Sequence, residues 1–235
     1  MSTDVIDARI SIVKDGPYLV SGSVPLTELI MKTEGHNRVY TQGKDFLTKE
    51  SYALCRCGKS KNPPFCDGSH LHANFDGTEC ASVRPFNERV EVFAGSTLDL
   101  YDDSRCAFAR FCHREDGDVW TLTEKSADPK FREEAIIAAN ECPAGRLVQH
   151  DKSNSNKEIE PALEPKISLL QDPERGVSAC LYVQGGIRLF SAEGVEYERR
   201  NRYALCRCGE SLNKPFCDAM HVTDGYIDGL EITDE

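Results

Sequence analysis

The sixteen residues from Cys55 to His70, CRCGKSKNPPFCDGSH, return as Cys206 to His221, CRCGESLNKPFCDAMH, at a constant shift of 151 positions. Each copy places three cysteines and one histidine in the pattern C-x-C-x8-C-x3-H: Cys55, Cys57, Cys66 and His70, then Cys206, Cys208, Cys217 and His221. Soft thiolates with one imidazole are the ligands taken by zinc or by iron-sulfur clusters. In extended backbone, residues two apart point to one side, so Cys55 with Cys57 and Cys206 with Cys208 form chelating pairs. Residues four apart share one face of a helical turn, which pairs Cys66 with His70 and Cys217 with His221. Two such pairs suit the two irons of a 2Fe-2S cluster, while three thiolates and an imidazole also make a closed tetrahedral zinc site.

The duplication reaches beyond the ligands. Ile10-Ser11-Ile12-Val13 parallels Ile167-Ser168-Leu169-Leu170, Leu19-Val20-Ser21-Gly22 parallels Tyr182-Val183-Gln184-Gly185, and Tyr52-Ala53-Leu54 parallels Tyr203-Ala204-Leu205. Each copy reads as short strands with turn residues, then the ligand loop. An aromatic and Asp-Gly follow: Phe75-Asp76-Gly77 in one, Tyr226 with Asp228-Gly229 in the other. A unit with so few large apolar residues is marginal alone. The economical fold pairs strands of residues 9–80 with those of 166–235 about a pseudo-two-fold axis.

A different segment lies between them. Arg89 to Tyr101 alternates apolar and polar residues around Ala94-Gly95-Ser96 and predicts a β-hairpin. Asp128-Pro129 predicts a helix to about Asn140, with Asp128 as N-cap and Phe131, Ala135, Ile136 and Ala139 inward. Residues 151–165 are polar and proline-containing and read as a linker. The expected fold is α+β: a first repeat at 1–85, a small inserted α+β domain at 86–150, the linker, and a second repeat at 166–235. Pro64 and Pro215 are expected to keep the loops from becoming helical, and Asp67 and Asp218 to cap the turns that follow.

The signature C-x-C-x2-S-x3-P-x-C-D-G-S-H, matched from Cys55 to His70 through Ser60, Pro64, Asp67, Gly68 and Ser69, resembles that of the CDGSH iron-sulfur (NEET, mitoNEET-like) family. The second copy keeps Ser211, Pro215 and Asp218 but has Ala219-Met220 in place of Gly-Ser. The resemblance implies a 2Fe-2S cluster at each loop, held by three cysteines and one histidine. A neutral imidazole in place of a thiolate makes such a cluster easier to reduce, and protonation of that imidazole competes with iron. Cys106-Ala107-Phe108-Ala109-Arg110-Phe111-Cys112 with Cys142-Pro143 resembles a ferredoxin C-x2-C-x2-C motif with a distal C-P, in which Ala109 replaces the central cysteine. That similarity to divergent mono-cluster ferredoxin domains implies a third cluster on Cys106, Cys112 and Cys142, either 3Fe-4S or 4Fe-4S completed by another ligand.

The net charge of −11 over 235 residues disfavours nucleic acid and anionic lipid as partners. No apolar run is long enough for a membrane span, and MSTDVIDARISIV lacks the pattern of a signal peptide. A cytoplasmic location is expected, where thiolates serve as ligands rather than disulfides. Cys80 and Cys180 have no spacing partner and read as buried free thiols. His72 and His113 read as surface groups, Trp120 and Phe131 as core. Gly185-Gly186 reads as a strand bend, and no nucleotide fingerprint or catalytic triad is present, so an enzyme is not expected. The expected role is electron transfer with a reductase or acceptor protein, from a pseudo-symmetric monomer. The alternatives are a cluster donor or redox and iron sensor, and a zinc-stapled interaction module.

Overall fold

The computed structural model describes residues 8–230. Residues 1–7, on which part of the leader reading rests, and 231–235 lie outside the described residues. The first repeat supplies β1 (Arg9–Ile12), β2 (Tyr18–Ser21), β3 (Leu26–Glu34), β4 (Asn37–Phe46) and β5 (Ser51–Leu54). The middle segment supplies β6 (Glu91–Ala94), β7 (Leu98–Asp102), β8 (His113–Arg114), β9 (Gly117–Asp118), α1 (Val119–Glu124), α2 (Pro129–Asn140), β10 (Leu147–Asp151) and β11 (Lys157–Ile159). The second repeat supplies β12 (Lys166–Asp172), β13 (Val177–Gln184), β14 (Arg188–Phe190), β15 (Arg202–Leu205) and α3 (Met220–Thr223).

The repeats exchange strands. The first sheet runs β14-β1-β2-β5 and the second β15-β13-β12-β3-β4. Thus β14 of the second repeat lies parallel to β1, with Ile10 opposite Leu189, while β3 of the first lies parallel to β12, with Leu26 opposite Ile167. Neither repeat closes its own sheet, as its apolar content implies. Between the two sheets lies one core, with Ile10, Tyr18, Val20 and Leu54 meeting Leu26, Leu169, Leu181 and Leu205.

All eight residues of β13 are buried, because its alternate side chains face two cores. Leu181 and Val183 enter the core between the sheets, whereas Cys180 and Tyr182 face the middle segment, joined by Ala179 where an irregularity in the β12–β13 register breaks the alternation. There they meet Phe111, Val119, Ala138 and Leu147. The middle segment is a four-stranded antiparallel sheet, β11-β10-β7-β6, with α1 and α2 packed on it. Buried Arg202 fastens it to β15, donating to the carbonyls of Cys142 (2.9 Å), Ala139 (2.9 Å) and Leu147 (3.1 Å) and pairing with Glu160. Arg110 reaches Asp172 at 2.6 Å from the other side.

The hairpin is present as β6 and β7, and α2 begins as the sequence predicts, the Asp128 carboxylate accepting from Lys130 N at 2.8 Å. Ala135, Ala138 and Ala139 are its buried residues. Phe131 and Ile136 pack at the margin of a small core with Leu98 and Leu122, and Trp120 packs at the margin of the larger one. Two expectations change. Residues 151–165 are not wholly a linker, because β11 pairs with β10 after a turn in which the Asp151 carboxylate accepts from Ser153 N at 2.9 Å. Lys157 and Glu158 are exposed on this edge strand, a charged pattern that resembles a loop in sequence and blunts edge pairing. Cys80 is exposed rather than buried, its thiol donating to Leu212 O at 3.0 Å. Gly185 and Gly186 form the turn after β13, with φ of 77° and 67°.

Candidate metal centres

Each ligand loop follows the last strand of its repeat, so the first cysteine pair stands at a strand end and the Cys–His pair on a short turn. Cys55 Sγ and Cys57 Sγ lie 3.7 Å apart, Cys206 Sγ and Cys208 Sγ 3.6 Å. Cys66 Sγ is 3.4 Å from His70 Nδ1, and Cys217 Sγ is 3.5 Å from His221 Nδ1. Metal–sulfur bonds of about 2.3 Å and metal–nitrogen bonds of about 2.0 Å at tetrahedral angles place sulfurs ~3.8 Å apart and sulfur from nitrogen ~3.5 Å. Both pairs in both loops therefore fit two ligands of one tetrahedral metal, with Nδ1 as the ligating nitrogen.

Backbone amides are aimed at the same sulfurs. The Cys57 thiol, then the amides of Ser60, Gly58 and Cys57, hold Cys55 down at about 6 against the opposing effect of burial. The corresponding partners of Cys206, namely Cys208 and the amides of Ser211, Gly209 and Cys208, hold it at about 7. Asp67 closes the first loop, accepting from Lys61 N (2.8 Å) and Ser69 N (3.0 Å), and Asp218 repeats this with Leu212 N (2.7 Å) and Met220 N (3.2 Å). The Ala219-Met220 departure thus leaves the loop's hydrogen bonds in place. Ala219 takes the left-handed conformation of Gly68, φ 74° against 87°, at a conformational cost that glycine avoids.

The loops meet back to back through two glycines. A Cβ on Gly58 would stand 2.2 Å from Cys208 O, and one on Gly209 2.6 Å from Cys57 O. Beneath them two arginines, each between the cysteines of a pair, anchor the loops. Arg56 donates to Gly16 O (2.8 Å) and Gly77 O (3.0 Å) and lies over the Phe75 ring. Arg207 donates to Ala179 O (2.6 Å) and Leu170 O (3.0 Å), pairs with Asp228 and lies over the Tyr226 ring. The aromatic and Asp-Gly after each loop thereby gain a purpose, and Arg56 and Arg207 are the residues that a ligand-centred reading passes over. Their signal was a charged residue recurring at the same place in both copies.

The histidines differ. His221 is 3% exposed, whereas His70 is half-buried with exposed Leu71 and His72 beside it. The second loop also has a neighbour that spacing did not reveal: buried Cys180 stands near enough to push the Cys217 thiol up, ahead of burial itself.

Cys106, Cys112 and Cys142 are brought together, each within electrostatic range of the others. Burial pushes the Cys112 thiol up to about 12, and Cys142 is raised for the same reason, so a nearby cationic metal would be needed to hold both as thiolates. Phe108 and Arg110 take left-handed conformations, φ 57° and 67°, winding residues 107–111 around the cysteines. Phe108 N lies 3.4 Å from Cys106 Sγ, and the Arg146 guanidinium, held by Asp102, lines the same pocket. Ala109 is 5% exposed and Phe111 1%, giving an apolar wall. His113 is exposed, at the start of β8.

These features mark three cysteine-bearing segments as candidate metal centres. The model of the "iron-binding zinc finger CDGSH type" matches residues 15–71 and 179–222, and that of the "divergent 4Fe-4S mono-cluster" matches residues 93–152. No curated protein and no solved structure matches the chain. The chain thus carries two CDGSH-type motifs with a divergent mono-cluster segment between them.

Proposed function

We propose that the protein is an electron carrier with a 2Fe-2S site at each CDGSH loop and a third site on Cys106, Cys112 and Cys142, of 3Fe-4S type or of 4Fe-4S type completed by another ligand. The body's two-fold likeness is part of this reading, since exchanged strands and reciprocal glycine contacts relate one loop to the other. The observation that carries it is the division of each ligand set into two pairs. Within each pair the ligand atoms stand 3.4 to 3.7 Å apart. A single zinc needs four convergent ligands, whereas two bridged irons take two each.

Bound groups of this kind accept and return single electrons. The chain's own residues supply thiolates, amide donors and dry surroundings, and Cys142 and Cys217 border one apolar core. Mixing reduced, anaerobically purified protein with a haem protein that accepts one electron is expected to restore the oxidised spectrum with iron retained. Iron reaching an apo-ferredoxin faster than electrons leave would contradict the reading in favour of cluster donation, which the solvent access of His70 favours as a second role.

That access gives an order of acid sensitivity. Protons reach His70 more readily than His221, and protonation competes with the metal for the nitrogen. Acidification from neutrality is expected to bleach the visible spectrum in two phases, with His70→Cys removing the faster and His221→Cys the slower. One shared phase in the wild-type protein contradicts this.

A further inference from the structure

A cleft runs between the middle segment and the second repeat, and its charge is opposite to that of the chain. Arg84, Arg89, Arg105, Arg200 and Arg202 line it against two carboxylates, Asp103 and Glu198. Its mouth is an open cavity of about 300 Å³ that shares Arg84, Arg89, Asp103 and Arg105 with the narrow inner part. Arg202 is neutralised by Glu160 and Arg89 by Asp103. Glu198 accepts from Phe86 N at 2.7 Å.

With Arg84 paired to Glu88 at the mouth and Glu198 4.0 Å from Arg89, the five arginines exceed the carboxylates around them by one charge, and Arg105 and Arg200 are the two without a close ion pair of their own. Arg105 lies 4.0 Å from Asp103 and gives one hydrogen bond, to Ser82 O at 2.6 Å. Arg200 reaches Gly145 O at 3.5 Å and, among the described residues, has no ion-pair partner within 4.0 Å. Each is held flat on an aromatic ring, Arg105 at 3.8 Å from the Phe216 centroid and Arg200 at 3.7 Å from that of Phe86. A guanidinium carries five donors, so both retain donors fixed in place by packing. Burial, then the Arg89 charge, brings Arg105 down to about 10, and burial also lowers Arg200.

We propose that this cleft binds a small polyanion, a phosphate ester or polycarboxylate carrying two or more negative charges, with Arg105 and Arg200 as its principal donors. Preset, partly desolvated arginines favour planar oxyanions through paired hydrogen bonds. The site adjoins two of the metal centres in sequence, since Arg105 precedes Cys106 and Phe216 precedes Cys217. The binding claim holds whichever metal those centres carry.

Titration calorimetry of the full-length, metal-loaded protein tests it, with inorganic pyrophosphate and with citrate, at ionic strength held constant by sodium chloride. Saturable binding of either is expected; tighter pyrophosphate binding assigns a phosphate ligand, and tighter citrate binding a carboxylate one. Arg105→Gln and Arg200→Gln should each weaken binding by about tenfold, the loss of one charge-assisted hydrogen bond, while Lys49→Gln, at an exposed position, leaves it unchanged. No saturable heat from the wild-type protein with either anion overturns the proposal, as does wild-type affinity in both arginine variants.

Discussion

Replacing Gly58 with alanine is expected to unseat both metal loops at once. The new methyl group would stand 2.2 Å from Cys208 O, at a residue with φ of 70°, so backbone must move on the far side of the contact. Gly209→Ala presses on Cys57 O in return. A left-handed alanine costs about 1 kcal/mol, and overpacking adds about 1–3 kcal/mol or more. Each variant should therefore lose roughly 3 kcal/mol of stability and iron from both loops. Gly176→Ala separates the two terms: its φ is 66° with no atom within 4 Å of an added Cβ, so only the conformational cost applies. Equal unfolding midpoints for Gly58→Ala and Gly176→Ala would contradict the back-to-back contact.

The second large effect is at Arg207. Its side chain and that of Asp228 are 3% and 1% exposed, and the arginine also serves two strand carbonyls. Removing one partner of a buried pair leaves the other uncompensated, at about 3–5 kcal/mol. Burial pushes the Asp228 carboxyl upward, but Arg207 and the Leu230 amide outweigh it, and the group sits below the usual range. In the wild-type protein Asp228 thus stabilises the fold above the ordinary carboxylate pKa, and this is lost as pH falls through its lowered value. In Arg207→Met burial acts unopposed by the arginine and the sign reverses, so the deficit should grow as pH rises through a raised Asp228 pKa. Chemical denaturation from pH 4 to 8 measures it; a deficit independent of pH would mean that Arg207 acts through packing alone.

How far the sequence discloses this molecule depends on whether a feature is local or shared. The candidate ligand pairs were legible because chelation asks for both a residue type and a spacing, and α2 because Asp128-Pro129 marks a helix start through backbone hydrogen bonding. The strand exchange was legible only as a need for burial; which strands cross over depends on contacts more than 140 residues apart. Cys180 could not be linked to Cys217 from spacing, since a sheet and a loop bring them together. Strand β11 was hidden because exposed, charged edge strands share their composition with linkers. The arginine cleft was invisible for a related reason: its five arginines come from three separate stretches of chain within an acidic whole.

The most direct measurement is metal and acid-labile sulfide content of protein isolated without oxygen. The account predicts about four irons and four sulfides from the paired loops, three or four more irons from the middle segment, and no stoichiometric zinc. Zinc at about one atom per loop with no labile sulfide would contradict it.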